Sequence, residues 1–138
     1  MPVTLNPYLN FRDDARAALE FYHAVFGGEL TISTFADFQA AQDPAENDLV
    51  MHGQIDGANG VTLMCADTPK HLEFRGHEGF SVSLSGDDDA MLRGYWERLT
   101  EGGQVVEPLE TAPWGDSFGM LVDRFGVSWV VNIAGSQT

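Results

Sequence analysis

"NPYLNFRDDARAALEFYHAVFGGEL", residues 6–30, changes its hydrophobic period once, and that change sets the order of the first secondary-structure elements. Residues 3–11 alternate between apolar and polar side chains, which is the pattern of a strand with one buried face. The apolar side carries Leu5, Leu9 and Phe11, and the polar side carries Asn6, Tyr8 and Asn10. We therefore predict a first strand at 3–11 whose apolar side faces the core.

From Asp13 onward the apolar residues follow the i, i+3, i+4, i+7 spacing of an amphipathic helix. The predicted buried stripe consists of Ala15, Ala18, Leu19, Tyr22, Val25 and Phe26. Asp13 or Asp14 can cap the N-terminus of this helix, and Gly27-Gly28 ends it. A second strand is expected at about residues 29–36.

A β-hairpin is predicted after the polar loop FQAAQDPAEND (38–48). Its strands are DLVMHGQI (48–55) and GVTLMCAD (60–67), joined by the turn DGANG (56–60). Alternation places His52 on one face of its strand with Val50 and Gln54. A hydrogen-bonded structural role is the favoured interpretation of His52, and a ligand-contacting or acid–base role is the alternative.

The same order of elements recurs in the second half of the chain. FSVSLSG (80–86) alternates with Phe80, Val82 and Leu84 on its apolar side. Asp87 to Asp89 can cap a helix that Gly102-Gly103 ends and whose stripe is Leu92, Tyr95, Trp96 and Leu99. WGDSFGMLVDRFGVSW (114–129) then indicates a strand, a turn and a strand. We predict two modules, at about 1–68 and 79–134, joined by the linker DTPKHLEFRGHEG (67–79).

This duplication predicts an α+β fold made of two βαβββ modules. Each module would form a mostly antiparallel sheet that carries its helix on one face. The other face of each sheet would be concave and partly polar. Two such sheets would form a concave mixed sheet around a cleft, which is a common place for a ligand.

The stretches at 6–30 and 114–129 resemble the PhnB-like subgroup of the vicinal oxygen chelate superfamily, and VMHGQI and LMCAD fit the same pattern. That superfamily includes glyoxalase I, extradiol dioxygenases and bleomycin-resistance proteins. The resemblance covers nearly the whole chain and implies a glyoxalase/bleomycin-resistance-like fold. Paired modules with open sheet edges also imply a homodimer.

Catalytic members of the superfamily hold a divalent metal with side chains from the first, fourth, fifth and last strands of the duplicated unit. By resemblance these positions correspond to Asn6, to Thr62 or Met64, to Ser81 or the preceding Phe80, and to Val130. A divalent metal needs imidazole or carboxylate donors there, and this set supplies neither. We therefore predict no metal and no cofactor. A ubiquinone-pathway methyltransferase, a name that some relatives carry, is not supported either, because no glycine-rich strand-to-helix nucleotide loop is present.

Seven residues are expected to contact a ligand in the cleft. They are Asn6, Tyr8, Met64, Ser81, Ser83, Trp114 and Asn132. Two interpretations of Trp114 stay open, stacking on a ligand or packing as a lid over the core. Trp129 is expected in the core, and Cys65 is expected to be a buried, inert thiol. His71 and His77 fall in the linker, where a solvated loop is the favoured interpretation.

Charge and composition limit the partners. Seven basic and 21 acidic residues give a net charge of −14, which disfavours nucleic acid and anionic membranes. No apolar run approaches the roughly 18 residues of a transmembrane helix, and no secretory signal is visible. A single cysteine cannot form an intrachain disulfide, so we expect a cytoplasmic location.

These observations favour a metal-free small-molecule binding protein of the glyoxalase/bleomycin-resistance type. It would sequester an apolar or cationic organic ligand in the cleft between the modules. The alternative is an enzyme of the same superfamily, a lyase, isomerase or dioxygenase with an unrecognised metal site or an acid–base site at His52. A module that binds a partner protein is the least supported class.

Overall fold

The computed structural model describes residues 3–58 and 60–135, and it divides into two compact units, Met1–Gly76 and His77–Thr138. The first unit contains β1 (Tyr8–Phe11), α1 (Ala15–Phe26), β2 (Glu29–Thr34), β3 (Val50–Asp56) and β4 (Thr62–Asp67). The second contains β5 (Val82–Gly86), α2 (Asp89–Thr100), β6 (Gln104–Thr111), β7 (Ser117–Val122) and β8 (Ser128–Ile133). The predicted α+β fold of two βαβββ modules is confirmed. Among the described residues, no helix has both the length and the apolar character to cross a membrane.

The first sheet has the strand order β1-β4-β3-β2, with β1 parallel to β4 and the other pairs antiparallel. The helix α1 packs on one face, and we call the opposite face of each sheet its open face. The stripe predicted for α1 is confirmed, because all of its members are buried: Ala15, Ala18, Leu19, Tyr22, Val25 and Phe26. Cys65 is buried as expected. The predicted turn at 56–60 includes Asn59, which lies outside the described residues.

The second sheet repeats this order as β5-β8-β7-β6, with β5 parallel to β8. Trp129 of β8 is 1% exposed, so its predicted place in the core is confirmed. Gly119 of β7 faces α2, and a Cβ atom added there would lie 2.7 Å from the Trp96 ring. The absence of a side chain at residue 119 therefore lets the indole rest on the sheet.

Two predicted core residues are wrong because their strands are shorter than predicted. Leu5 is fully exposed, since β1 begins at Tyr8 and pairs with β4 from that residue onward. Pro7 precedes β1 and has no N–H with which to extend the ladder. Phe80 is 47% exposed because β5 begins only at Val82.

The prediction for the start of α1 is also corrected. Asp14 is the N-cap residue, but its side chain makes no capping hydrogen bond. The carboxylate of Asp67, at the end of β4, accepts from the Ala15 N–H at 3.0 Å and from the Val50 N–H at 2.9 Å. One buried side chain therefore fixes the helix start and the entry to β3. In α2 the predicted cap is confirmed, because Asp88 accepts from the Met91 N–H at 3.1 Å.

A second buried carboxylate organises the turn between β7 and β8. Asp123 Oδ1 accepts from the backbone N–H groups of Phe125, at 2.8 Å, and Val127, at 3.1 Å. Asp123 Oδ2 accepts from the Trp129 indole at 2.8 Å. These bonds tie the turn to the core of the second unit, so this conspicuous motif is structural.

Candidate functional site

The first unit contains a cavity of about 660 Å³ on the open face of its sheet. Strands β1, β3 and β4 and the adjoining loop contribute Tyr8, Asn10, Phe35, Met51, Ala66 and Asp67 to its lining. The segment of residues 68–76, which we call the strap, contributes Thr68, Pro69, Leu72, Glu73, Phe74, Arg75 and Gly76. The strap lies in the predicted linker, where His71 is exposed as expected, and several other side chains of the strap line the cavity.

Hydrogen bonds attach the strap to the sheet. Arg12 Nη2 donates to the Leu72 carbonyl at 2.6 Å, and its guanidinium carbon lies 5.8 Å from the centre of the Phe74 ring. The Lys70 N–H donates to Glu46 Oε2 at 2.8 Å, and Glu46 is buried. The cavity therefore has a wall of defined conformation on the strap side.

The charged groups of the cavity wall are already compensated. Asp67 accepts the two backbone hydrogen bonds at the starts of α1 and β3. Arg75 and Glu73 pair with each other at 3.3 Å, and both side chains are highly exposed. What remains for a ligand is an apolar surface with the uncharged polar groups of Tyr8, Asn10 and Thr68.

A bulge in β3 separates residues that alternation alone would group. Thr34 pairs with Val50 and Ser33 pairs with His52, so Met51 is the extra residue of the bulge. Val50 is fully buried, whereas His52 lies half-buried beside Tyr8, with ring centroids 5.9 Å apart. The prediction that Val50 shares a face with His52 and Gln54 is therefore wrong.

Tyr8 lines the cavity and is 47% exposed. The pKa of its phenol is raised mainly by partial burial and to a smaller extent by the negative charge that Cys65 can carry. A higher pKa favours the protonated hydroxyl, so Tyr8 is available as a hydrogen-bond donor over the ordinary pH range.

The open face of the second sheet is apolar at its centre. Ladder register places Met120 beside Val130 and Phe118 beside Asn132, and Ser83 also pairs with Val130. The Trp114 ring lies 6.1 Å from the Phe118 ring in an edge contact. Trp114 is 64% exposed, so it is not a buried core residue, and both predicted interpretations stay open.

Asn132 has a structural partner in this unit. Its Nδ2 donates to Asp116 Oδ2 at 3.0 Å, and the Gly135 N–H donates to Asp116 Oδ1 at 2.9 Å. The pKa of Asp116 is lowered first by the Asn132 bond and then by the Gly135 bond, against a small opposing effect of desolvation. Asn132 therefore helps to position the loop before β7.

Comparison with known proteins assigns the family. Residues 4–132 match a family model described as 3-demethylubiquinone-9 3-methyltransferase. The chain belongs to this family. Protein PA1353 from Pseudomonas aeruginosa is 34% identical, with a TM-score of 0.81 over 98% of this chain and 100% of that one. Protein YjdN of Escherichia coli is 25% identical over 96% of this chain and 97% of its own length.

Structures of lower identity bear on the fold alone. A PhnB protein from Bacillus cereus is 24% identical, with a TM-score of 0.74 over 96% of this chain and 100% of that one. A glyoxalase/bleomycin resistance protein from Catenulispora acidiphila is 23% identical, with a TM-score of 0.57 over 96% of this chain and 99% of that one. These likenesses extend over nearly the whole chain and show that it has the fold of the PhnB and glyoxalase/bleomycin resistance proteins.

The residues at the superfamily's metal positions do not fit a divalent metal. Asn6 precedes β1, and its Nδ2 donates to Thr4 Oγ1 at 3.2 Å. The other predicted positions carry Thr62 or Met64, Ser81 or Phe80, and Val130. Their hydroxyl, thioether, phenyl and isopropyl groups are not usual ligands of such metals. Within 3–58 and 60–135, no cluster of three or more His, Cys, Asp or Glu side chains could hold a metal ion.

The structure distributes the seven predicted ligand contacts over both units. The first unit holds Asn6, Tyr8 and Met64, and the second holds Ser81, Ser83, Trp114 and Asn132. Tyr8 lines the cavity and pairs with Met64 in the ladder, whereas Ser81 lies before β5. Sequence reasoning missed the strap, although Leu72 and Phe74 are apolar signals within an otherwise polar linker.

Proposed function

We propose that this protein binds a small, mainly apolar organic molecule in the cavity of the first unit, without using a metal. The observation that carries the proposal is the cavity itself. Its volume of about 660 Å³ lies in the range of small-molecule sites, roughly 300–1,000 Å³. Its mainly apolar lining with a few polar groups is typical of sites that hold organic ligands.

Charge supports an uncharged ligand. The chain has a net charge of −14, which disfavours the approach of anions. Of the two carboxylates in the cavity wall, Asp67 is buried and already accepts two backbone hydrogen bonds, and Glu73 pairs with Arg75 at the surface. A neutral molecule therefore loses the least solvation free energy on entering this site.

Fluorescence titration with Nile red, an uncharged dye that brightens in apolar surroundings, tests the proposal. We expect saturable binding that Leu72→Asp weakens at least tenfold, because the new carboxylate would stand in the apolar wall. Phe38→Asp is the matched control, since Phe38 is 59% exposed, Leu72 is 54% exposed, and only Leu72 lines the cavity. Equal affinities in the two variants would exclude the cavity as the binding site.

The second candidate is an enzyme of the same superfamily that works by acid–base chemistry. The observation that favours it is the polar contact chain at His52, which adjoins Tyr8. This candidate predicts that a ligand recovered after incubation is chemically altered. Binding alone predicts that mass spectrometry finds the ligand unchanged.

A further inference from the structure

Three side chains of β3 form a chain of hydrogen bonds on the open face of the first sheet. Gln54 Nε2 donates to Asp56 at 3.0 Å to Oδ1 and 3.2 Å to Oδ2. His52 Nε2 lies 3.4 Å from Gln54 Oε1. The carboxylate thus orients the amide, and the amide in turn faces the imidazole.

This order of partners selects one tautomer of His52. An ionised carboxylate only accepts, so it holds the NH₂ group of Gln54 and leaves the amide oxygen toward His52. An amide oxygen only accepts as well, so the contact needs a proton on His52 Nε2. In the neutral ring Nδ1 is then the acceptor, and among the residues that the structure describes it has no hydrogen-bond partner.

His52 is not itself a lining residue of the cavity but lies next to its wall. Its ring lies 5.9 Å from the ring of Tyr8, and Met51 precedes it in the bulge. Tyr8 and Met51 both line the cavity. On this face β1 presents the titratable Tyr8, β3 itself presents Asp56, and β2 presents Glu29, which pairs with Asp56. Strand β4 presents Met64, and the strap adds Glu73 and Arg75 to the cavity wall.

We propose that His52 Nδ1 is the hydrogen-bond acceptor of the cavity, so that the preferred ligand is an apolar molecule carrying an O–H or N–H donor, such as a phenol. This inference rests on the proposed function, because it specifies the ligand class of the same cavity. It assigns Gln54 and Asp56 the role of positioning residues that keep the acceptor nitrogen unprotonated.

The first test needs no ligand. Long-range proton–nitrogen spectra of ¹⁵N-labelled protein distinguish protonated from unprotonated ring nitrogens, and His52→Gln assigns the signals. We expect a protonated Nε2 and an unprotonated Nδ1 in the wild type. Gln54→Glu retains an acceptor and should keep this tautomer, whereas Gln54→Leu should return His52 to the mixture found in free histidine. A protonated Nδ1 in the neutral wild-type ring would overturn the inference.

The second test uses a matched pair of probes, 2-naphthol and 2-methoxynaphthalene, which differ in one hydrogen-bond donor. We expect the wild type to bind the naphthol about five- to tenfold more tightly, the usual effect of one neutral hydrogen bond. His52→Phe keeps an aromatic ring beside Tyr8 and should remove this preference. His23→Phe, at a half-buried histidine outside the cavity lining, is the control and should retain the preference.

The outcomes separate the inference from the proposed function. If both probes bind equally and Leu72→Asp weakens both, the cavity is the binding site and the role of His52 is wrong. A preference that survives His52→Phe but is lost in Tyr8→Phe would also overturn the inference, because Tyr8 would then be the partner. If neither probe binds the wild type at millimolar concentration, both the proposed function and the inference fail.

Discussion

Replacing Asp67 by asparagine should destabilise the protein although it changes only one oxygen atom to NH₂. The carboxylate is 5% exposed and accepts one backbone N–H on each oxygen, from Ala15 and from Val50. An asparagine can accept only one of these bonds, and its NH₂ group would face the other N–H donor. A buried donor left unsatisfied costs about 1–3 kcal/mol. Loss of a negative charge beside the α1 N-terminus costs about 0.3–1 kcal/mol more. We expect a total of about 1–4 kcal/mol.

Asp88→Asn is the matched control. Asp88 also accepts a backbone N–H at a helix N-terminus, but it is exposed and is the N-cap residue of α2. Asparagine is as good an N-cap as aspartate, so the change should cost less than about 0.5 kcal/mol.

Urea denaturation followed by far-ultraviolet circular dichroism measures the free energy of unfolding of both variants. Dichroism is required because all three tryptophans, Trp96, Trp114 and Trp129, lie in the second unit and would not report on the first. A loss in Asp67→Asn no larger than that in Asp88→Asn would refute the assignment of Asp67 as the residue that joins helix, strand and cavity wall.

Three further changes test particular contacts. Gly119→Ala should cost about 1–3 kcal/mol in stability, because its methyl group would meet an indole carbon at 2.7 Å. Gly94→Ala within α2 should instead stabilise by about 0.5–1 kcal/mol, and equal losses in these two variants would contradict the packing described. Trp114→Ala should change the free energy of unfolding by less than about 1 kcal/mol, because the side chain is 64% exposed. A loss of stability above about 3 kcal/mol would contradict that exposure. Asn132→Leu should raise the pKa of Asp116, measured by carbon NMR, because it removes the bond that lowers it most. A carboxyl whose pKa is lowered on folding stabilises the folded protein above its unfolded-state pKa, and this stabilisation is lost as the pH falls through the folded-state pKa. The variant should therefore unfold more readily in acid. An unchanged pKa of Asp116 would contradict the hydrogen bond.

The sequence was sufficient for the modules because their signals are local. The stripe of α1, from Ala15 to Phe26, follows from helical spacing alone, and the place of Trp129 in the core follows from alternation in β8. The prediction that Leu5 and Phe80 are buried was wrong because the alternation begins before the first residue that has a partner in the ladder. The alternation of residues 3–11 does not mark where pairing with β4 begins, although Pro7, which lacks an N–H, stands directly before that point.

The candidate site could be predicted only in part because it depends on contacts between distant segments. Tyr8 was predicted to contact a ligand because it alternates with the apolar residues of the first strand. The bulge at Met51, which moves Val50 into the core and leaves His52 on the open face, arises from pairing with β2. Asp67 caps a helix 52 positions earlier in the chain, and that contact has no local sequence signal.

Chemical-shift mapping of 2-naphthol on ¹⁵N-labelled protein tests most directly whether the cavity of the first unit is a ligand site. We expect saturable shifts at the backbone amides of the cavity wall, namely Tyr8, Asn10, Met51, Thr68 and Leu72. The amides of β7 and β8 should stay within the noise of a blank titration. Shifts centred on Trp114 and Phe118, or none at millimolar probe, would contradict the account.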